Sequence, residues 1–117
     1  VCTRTQTVDD ICEEVFRMLV SSEKDGKPTA LVVGNDYLAA QIMQYLKKLD
    51  ISVPDDLSVI GCDNTQIAPL TTPALTTVDV SKERLAKTYV DKMLALVEGQ
   101  QVEDEYMGVK LIIRESA

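Results

Sequence analysis

The chain has 117 residues, of which 45% are hydrophobic, and this is enough for one modest domain with a packed core. Its 12 basic and 19 acidic residues give a net charge of −7, so we do not expect this part of the protein to bind nucleic acid. Histidine is absent, which excludes a histidine-ligated metal site and a serine–histidine or cysteine–histidine catalytic pair.

The three cysteines, Cys2, Cys12 and Cys62, are unevenly spaced and form no Cys-x-x-Cys motif. Their odd number favours reduced thiols in a cytoplasmic protein over a disulfide framework. The sequence contains no apolar run of 18 residues and no visible secretory leader, so we expect no membrane partner. The chain starts at Val1 without a methionine, which is consistent with removal of a leader or of a preceding domain.

Hydrophobic periodicity divides the chain into alternating strands and helices. The pattern predicts, in chain order, a strand ending at 1–3, a helix at 8–21, a strand at 29–34, a helix at 36–49, a strand at 57–60, a strand at 74–78, a helix between Ser81 and Gly99, and a strand at 109–114. Strands that alternate with helices predict an α/β fold, with a mainly parallel sheet and helices on both faces. We place the last strand at a sheet edge because its pattern is mixed.

Capping residues mark the ends of two predicted helices. Thr7 followed by Asp10 fits a reciprocal cap at the start of the first helix. Ser81 is a good N-cap for the last helix, and Gly99 lies where a glycine would end it. The apolar stripe of this last helix is predicted to be core; its members are Leu85, Ala86, Tyr89, Met93, Leu96 and Val97.

Two predicted strands end in the same kind of motif, at residues 32–36 and 59–64. Each runs from an apolar strand through a glycine to amide or carboxylate side chains. If the strands are neighbours, Asn35 and Asp63 face one crevice beyond the carboxyl ends of the sheet. A carboxylate acceptor beside an amide suits the hydroxyl groups of a sugar or the edge of a nucleobase. These two residues are therefore the candidate ligand-binding residues.

The same motifs also have a purely structural interpretation. Asn35 or Asp36 would cap the following helix, and Asp63 with Asn64 would form a turn without a ligand. The spacing of short motifs does not decide between the two interpretations.

A catalytic interpretation lacks essential partners. Asp36, Asp63 and Asp79 suggest an acidic metal cluster like that of a phosphoryl-accepting receiver domain, but that domain's acidic pair and lysine are missing. Nothing marks one of a carboxylate pair as the acid of a glycoside hydrolase. No glycine-rich phosphate loop occurs. We therefore predict no catalytic residue, no metal ligand and no cofactor, and conclude that this is not an enzyme.

Four sequence blocks, in one order and at one spacing, resemble the lactose-repressor/galactose-repressor (LacI/GalR) family of bacterial transcription regulators. They are residues 28–30 with 34–36, then 53–64, 70–78 and 112–116. The resemblance implies a fold like that of the periplasmic sugar-binding proteins, in which two α/β subdomains enclose the effector. By this resemblance we expect residues 1–117 to correspond to the carboxyl-terminal subdomain, which in the family binds effector and dimerises. We also expect the helix-turn-helix and the amino-terminal subdomain to be absent from these residues, so that operator DNA is contacted only through the absent part.

The resemblance also implies roles for individual residues. Asn35 and Asp63 match positions that hydrogen-bond the effector, commonly a sugar, while the position of Asp36 more often caps the helix. The chain departs from the family pattern at Cys62, Asn64 and Val80, which leaves the identity of the effector open. Arg4 to Gln6 fall near a pocket loop, but the match there is too loose to carry a role.

The helix predicted at 36–49 has a second apolar face beside its inward stripe. The inward stripe consists of Leu38, Ile42, Leu46 and Leu49. The pattern alone leaves the second face, Ala39, Ala40 and Met43, open between core and a subunit contact. Because Ile67 and Leu70 add apolar groups nearby, and because the resemblance implies dimerisation here, we predict a two-fold homodimer through these five residues.

Two other functions were weighed against that of a regulator. One is an extracytoplasmic sugar-binding transport protein of the same fold, which the sequence upstream would distinguish by a secretory leader. The other is an enzyme on an α/β scaffold, and the lack of histidine and of any nucleophile motif weighs against it.

Overall fold

The computed structural model describes residues 7–20 and 26–117. The elements are α1 (Val8–Val20), β1 (Ala30–Val32), α2 (Asp36–Lys48), β2 (Ser58–Cys62), a 3₁₀ turn (Ala68–Leu70), β3 (Thr76–Asp79), α3 (Lys82–Val97) and β4 (Lys110–Ile112). Every element predicted within the described residues is present, and no bound differs from its predicted position by more than two residues. The predicted strand at 1–3 and the loop at 4–6 lie outside the described residues.

The four strands form one sheet in the order β1-β2-β3-β4. β1 pairs in parallel with β2, and β2 in parallel with β3. β4 runs antiparallel to β3 and lies at the edge of the sheet, as its mixed pattern predicted. The predicted α/β class and the mainly parallel sheet are confirmed.

The core lies between the sheet and the two helices α1 and α2. Ile42 and Leu46 of α2 pack against Val59 of β2 and against Leu57 and Leu75, and all five side chains are fully buried or nearly so. Each such aliphatic side chain contributes about 1.5–3 kcal/mol when it is removed from water. This cluster therefore anchors α2 to the sheet and sets where its amino-terminal end lies.

Within the described residues, the helices that pack on the sheet cover one face. Leu31 and Val59 are paired on the covered face, whereas Val32 on the opposite face is 73% exposed. The strands follow one another across the sheet in chain order. Because crossovers between parallel strands are right-handed, the connecting helices of such a sheet all lie on the same face. The expected second helical layer is not formed by this part of the chain.

The prediction that the stripe of α3 is core is wrong. None of the α3 side chains in the described structure is buried, and Val97 is 81% exposed. α3 connects β3 to the antiparallel strand β4, through residues 98–109. A connection between antiparallel strands does not have to cross the face of the sheet, so α3 is not forced to pack on it. Its ion pairs, Arg84 with Glu105 and the half-buried Lys92 with Glu105, are long and reached by solvent, and such pairs contribute little.

The helix caps follow the sequence at two of three places. Thr7 and Asp10 cap each other at the start of α1, through hydrogen bonds of 2.7–3.2 Å that hold the pKa of Asp10 below its ordinary value. Gly99, with φ +77°, ends α3 as predicted. Ser81 is not the predicted side-chain cap: it has φ +48°, and its hydroxyl caps none of the described amides.

The end of the chain is joined to the sheet by Ser116. Its buried hydroxyl accepts a hydrogen bond from the Thr76 backbone N–H at 2.8 Å and donates one to the Val59 carbonyl at 2.6 Å. The Val59 N–H in turn donates to the Ser116 carbonyl at 2.8 Å. Residues 114–117 thereby tie β2 to β3 beside the amino-terminal end of β3.

We expect Ser116→Ala to lower the free energy of unfolding by about 1–3 kcal/mol, because a buried N–H and a buried carbonyl each lose a partner. Chemical denaturation of the full-length protein measures this change. Ser52→Ala is the matched control, since Ser52 is exposed and its hydroxyl bonds to none of the described residues. Equal effects of the two substitutions would contradict the role assigned to Ser116.

Candidate functional site

The two strand-end motifs lie side by side in the sheet. Ala30 pairs with Ser58 and Val32 with Ile60, so each β1 residue faces the β2 residue 28 positions later. The same offset, continued beyond the strands, brings Asn35 level with Asp63. Both residues thus lie at the carboxyl ends of adjacent parallel strands, the edge where open α/β sheets bind ligands.

Asn35 has a structural role as well as a candidate binding role. Its backbone is extended, with φ −156° and ψ +157°, and its Oδ1 accepts a hydrogen bond from the Leu38 N–H at 2.8 Å. The structural interpretation therefore holds for this residue: it is the N-cap of α2. Its Nδ2 amide donates to none of the described residues, so the group that would reach a ligand is still free to donate.

Asp63 lies in a strained turn that follows β2. Asp63 has φ +94° and Asn64 has φ +43°, conformations that cost side-chain-bearing residues about 1–3 kcal/mol each. The Asp63 N–H donates to the Val78 carbonyl at 2.8 Å, which holds the turn against β3. The Asp63 carboxylate accepts no hydrogen bond from the described part of the chain and lines an open cleft of about 280 Å³.

A polar network built around Asn64 forms the wall of that cleft. Arg114 donates from Nη2 to Asn64 Oδ1 at 2.9 Å and from Nη1 to the Leu75 carbonyl at 2.7 Å. Asn64 Nδ2 donates to Asp79 at 3.3 Å, and Asp79 also accepts from the Ser81 N–H at 2.9 Å. The Ser81 hydrogen bond is the main reason that the pKa of Asp79 is below its ordinary value.

Sequence reasoning missed the part that Arg114 plays at this site. Arg114 and Asn64 are 50 residues apart, and no local pattern connects them. The available signal was the block at 112–116, which carries Arg114 but by itself does not say where its guanidinium reaches.

Asp36 does not have the capping role that the resemblance implied. Its carboxylate is fully buried and accepts from the Thr77 hydroxyl at 2.5 Å and from the Thr65 N–H and hydroxyl at 2.6 and 3.0 Å. The cap of α2 is Asn35 instead. Gly61 faces this carboxylate, and a methyl group there would collide with it.

Asp36, Asp63 and Asp79, considered from the sequence as an acidic cluster and set aside, are not arranged as a metal site among the residues described. Asp36 is enclosed by its own hydrogen bonds, and Asp63 and Asp79 lie in the cleft wall. No group of three or more Cys, Asp or Glu side chains in residues 7–20 and 26–117 is arranged to hold a metal ion.

The second apolar face of α2 is not an outward face of the chain. Ala39 and Met43 belong to the core, with 0% and 5% exposure, and Ala40 is also buried, because the 3₁₀ turn packs against α2. The expectation that these three side chains lie on the surface is therefore wrong. Leu70 is 78% exposed, and Ile67 is half-buried.

A shallow groove of about 250 Å³ separates α2 from the loop after the 3₁₀ turn. We call it the α2–loop groove; it is lined by Ala40, Met43, Gln44, Lys47, Leu70, Thr71 and Thr72. Ala40 and Met43 form its floor, so they remain close to the surface without projecting from it.

Comparison with known proteins identifies the class to which this arrangement belongs. The periplasmic binding protein-like domain family matches residues 3–117, nearly the whole chain. The chain belongs to this family. Its relatives are regulators of the LacI type, which confirms the resemblance found in the sequence.

Three relatives indicate the range of similarity. The transcriptional repressor PurR of Photobacterium profundum is 37% identical over 92 residues, which cover 77% of this chain and 28% of PurR. The Lac repressor dimer bound to operator and the anti-inducer ONPF has a TM-score of 0.76 and 30% identity, over 94% of this chain and 33% of that one. A periplasmic binding protein/LacI transcriptional regulator from Alkaliphilus metalliredigens complexed with D-xylulofuranose has a TM-score of 0.67 and 33% identity, over 94% and 37%.

The chain thus spans less than two fifths of the length of each of these relatives. The relatives are named as transcriptional repressors and regulators.

No helix in the described ranges is long and apolar enough to cross a membrane.

Proposed function

We propose that residues 1–117 are the effector-binding and dimerisation subdomain of a LacI/GalR-type transcriptional regulator. The observation that carries this proposal is the placement of Asn35 and Asp63 at the carboxyl ends of two adjacent parallel strands. The Asp63 carboxylate accepts and the Asn35 amide donates, which suits the neighbouring hydroxyl groups of a sugar. The proposed effector is therefore a sugar or sugar derivative, and the sugar held by the Alkaliphilus metalliredigens relative supports this class.

The apolar face of α3 is proposed to pack against a second subdomain of a longer chain. Tyr89, Met93 and Val97 are each more than half exposed, and an exposed apolar surface of this extent marks an interface. The part of the relatives that this chain does not span is long enough to supply that partner. The effector would then lie between the two subdomains, with Asp63 and Asn35 on one wall.

The proposed mechanism is a shift between an open and a closed arrangement of the two subdomains. A sugar that contacts both walls binds the closed state more tightly and so increases its population. The change in arrangement would move the two DNA-binding parts of a dimer relative to operator DNA. The DNA contact itself belongs outside these residues, whose net charge is −7. Action on DNA places the proposed regulator in the cytoplasm.

The alternatives considered from the sequence are less well supported. The matched relatives are regulators, which does not favour an extracytoplasmic sugar-binding transport protein. The same relatives give no reason to propose catalysis, and we assign no catalytic residue and no cofactor.

A thermal-shift screen of the full-length protein against sugars and sugar phosphates tests the proposal. A ligand at about 100 times its dissociation constant adds about 2.7 kcal/mol to the free energy of unfolding, which raises the melting temperature by several degrees. We expect at least one sugar to do this and to change operator binding in a gel-shift assay. A panel in which no sugar or sugar phosphate stabilises the protein would contradict the proposed effector class.

We propose a two-fold homodimer in which the α2–loop groove meets its copy, as supported by the dimeric Lac repressor relative. Ala40→Asp is unsuitable as a test, because Ala40 is buried within its own chain and the variant would unfold. Leu70→Asp changes an exposed side chain instead, and it would place two carboxylates near the axis in a poorly hydrated contact. We expect the dimer dissociation constant to rise by about tenfold to a hundredfold, or about 1.4–2.8 kcal/mol.

Analytical ultracentrifugation of the full-length protein measures this constant. Tyr106→Asp is the matched control, because Tyr106 is 96% exposed and lies in the segment beside α3, away from the α2–loop groove. If the Leu70 variant associates as tightly as the control, the dimer contact lies elsewhere.

A further inference from the structure

The buried carboxylate of Asp36 lies beneath the candidate effector site and is bonded to the segments that support it. Asp36 is the first residue of α2, directly after the candidate ligand residue Asn35, and is 0% exposed. Its two oxygens are engaged by different segments: Oδ1 by β3, through Thr77, and Oδ2 by the turn after β2, through Thr65. One side chain therefore joins the amino-terminal end of α2 to β3 and to the turn after β2.

The hydrogen bonds of this cluster end on the backbone that follows Asp63. The Thr65 N–H donates directly to Asp36 Oδ2 at 2.6 Å. The Asn64 N–H donates to the Thr77 hydroxyl oxygen at 3.3 Å, and that hydroxyl donates its own proton to Asp36 Oδ1. The Thr77 hydroxyl has only one proton, which it donates to Asp36. The hydroxyl oxygen therefore acts only as an acceptor toward the Asn64 N–H.

The turn that these bonds hold is the one that presents Asp63. Asp63 and Asn64 have positive φ values, which side-chain-bearing residues keep only where the surrounding structure constrains them. The backbone of this turn is held by the Val78 carbonyl on one side and by the Asp36 cluster on the other, while Arg114 and Asp79 hold the Asn64 side chain. Gly61 allows Asp36 to approach so closely, since a side chain there would occupy the position of the carboxylate.

We infer that Asp36 is a positioning residue for the effector site, an inference that rests on the proposed function. Its carboxylate, through Thr77 and Thr65, holds the Asp63–Asn64 turn in the conformation in which the Asp63 carboxylate meets the ligand. Asp36 does not touch the ligand, because it is fully buried.

Thr77→Val and Thr77→Ser in the full-length protein form the deciding pair. Valine keeps the branched shape but removes both the donor to Asp36 and the acceptor for Asn64, whereas serine keeps the hydroxyl. Hydrogen–deuterium exchange without ligand is followed in a peptide covering residues 61–66 and in a reference peptide covering residues 86–97 of α3, which does not pack on the sheet. We expect the Asn64 and Thr65 amides to exchange at least tenfold faster in the valine variant only, with the reference peptide unchanged.

Calorimetric titration with a sugar found by the thermal-shift screen gives the second readout. We expect Thr77→Val to raise the dissociation constant at least tenfold and Thr77→Ser to restore it to within about threefold, since the serine hydroxyl remakes both hydrogen bonds. Thr65→Val, which removes one hydroxyl donor and leaves the Thr65 N–H in place, provides a milder variant if Thr77→Val does not fold. Its expected effect has the same direction and a smaller size.

Two results would overturn the inference. One is unchanged exchange of the Asn64 and Thr65 amides in a folded valine variant. The other is faster exchange with unchanged sugar affinity. If the wild-type protein binds no sugar at all, the proposed function fails, while the exchange comparison still decides whether the Asp36 cluster holds the turn.

Discussion

Gly61→Ala is expected to lower the free energy of unfolding by about 3 kcal/mol or more, the upper range for overpacking a well-filled core. The added methyl group would collide with the Asp36 carboxylate and would come within 2.9 Å of Leu75 Cδ2. Neither neighbour can move easily, because Asp36 is held by three hydrogen bonds and Leu75 is fully buried. The glycine is needed for space, since it does not have a positive φ.

Gly34→Ala is a matched control for this substitution. Gly34 lies just after β1, and Gly61 lies near the end of the adjacent strand β2. A methyl group at Gly34 would meet no described atom within 4 Å. We expect Gly34→Ala to change stability by less than about 1 kcal/mol in either direction. Urea denaturation of the two full-length variants compares them directly. A similar loss of unfolding free energy in both variants would contradict the collision with Asp36 as the cause of the Gly61→Ala effect.

Asp63→Ala is expected to weaken effector binding by about 1.5–3 kcal/mol, which is roughly a 10- to 150-fold rise in the dissociation constant. The Asp63 carboxylate has no hydrogen-bond donor among the described residues, so its loss leaves the fold's own hydrogen bonds intact. The effect should therefore appear mainly in binding, with a smaller loss of stability because alanine tolerates φ +94° less well than aspartate. Isothermal titration calorimetry with a sugar identified by the thermal-shift screen measures the change in the full-length protein.

Asp55→Ala is the matched control for charge, because Asp55 is an exposed acid in the turn before β2, away from the cleft. Asn35→Asp separates the two roles of Asn35: aspartate keeps the Oδ1 cap of α2 but removes the Nδ2 donor. We expect this variant to retain stability and to lose affinity. Unchanged affinity in both the Asp63 and the Asn35 variants would place the binding site elsewhere.

Local patterns in the sequence were sufficient for the elements and for their order. Apolar residues at steps of three and four located α1 and α2, and short β-branched runs located the strands. The Thr7–Asp10 cap acts within one helical turn, and therefore it could be identified from spacing alone. The placement of Asn35 level with Asp63 was predicted on the condition that the two strands are neighbours, and the pairing of β1 with β2 meets that condition.

Tertiary contacts decided which apolar faces are covered. The apolar pattern of Ala39, Ala40 and Met43 left core and subunit contact open, and these side chains are buried where the 3₁₀ turn, some 30 residues further along, packs against α2. The stripe of α3 has an equally good core pattern and remains exposed in the described structure. A periodic pattern establishes that a face is apolar, whereas its partner is set by contacts that are distant in sequence.

The sequence by itself thus determined the class of fold, the type and order of its elements, and the choice of Asn35 and Asp63 as candidate residues. Only the tertiary structure decided the roles of Asp36 and Arg114. Asp36 bonds to Thr77, 41 residues away, and Arg114 bonds to Asn64, 50 residues away. The physical reason is that helix periodicity and caps act over three or four residues, while a buried polar group takes whatever donors the folded chain brings to it.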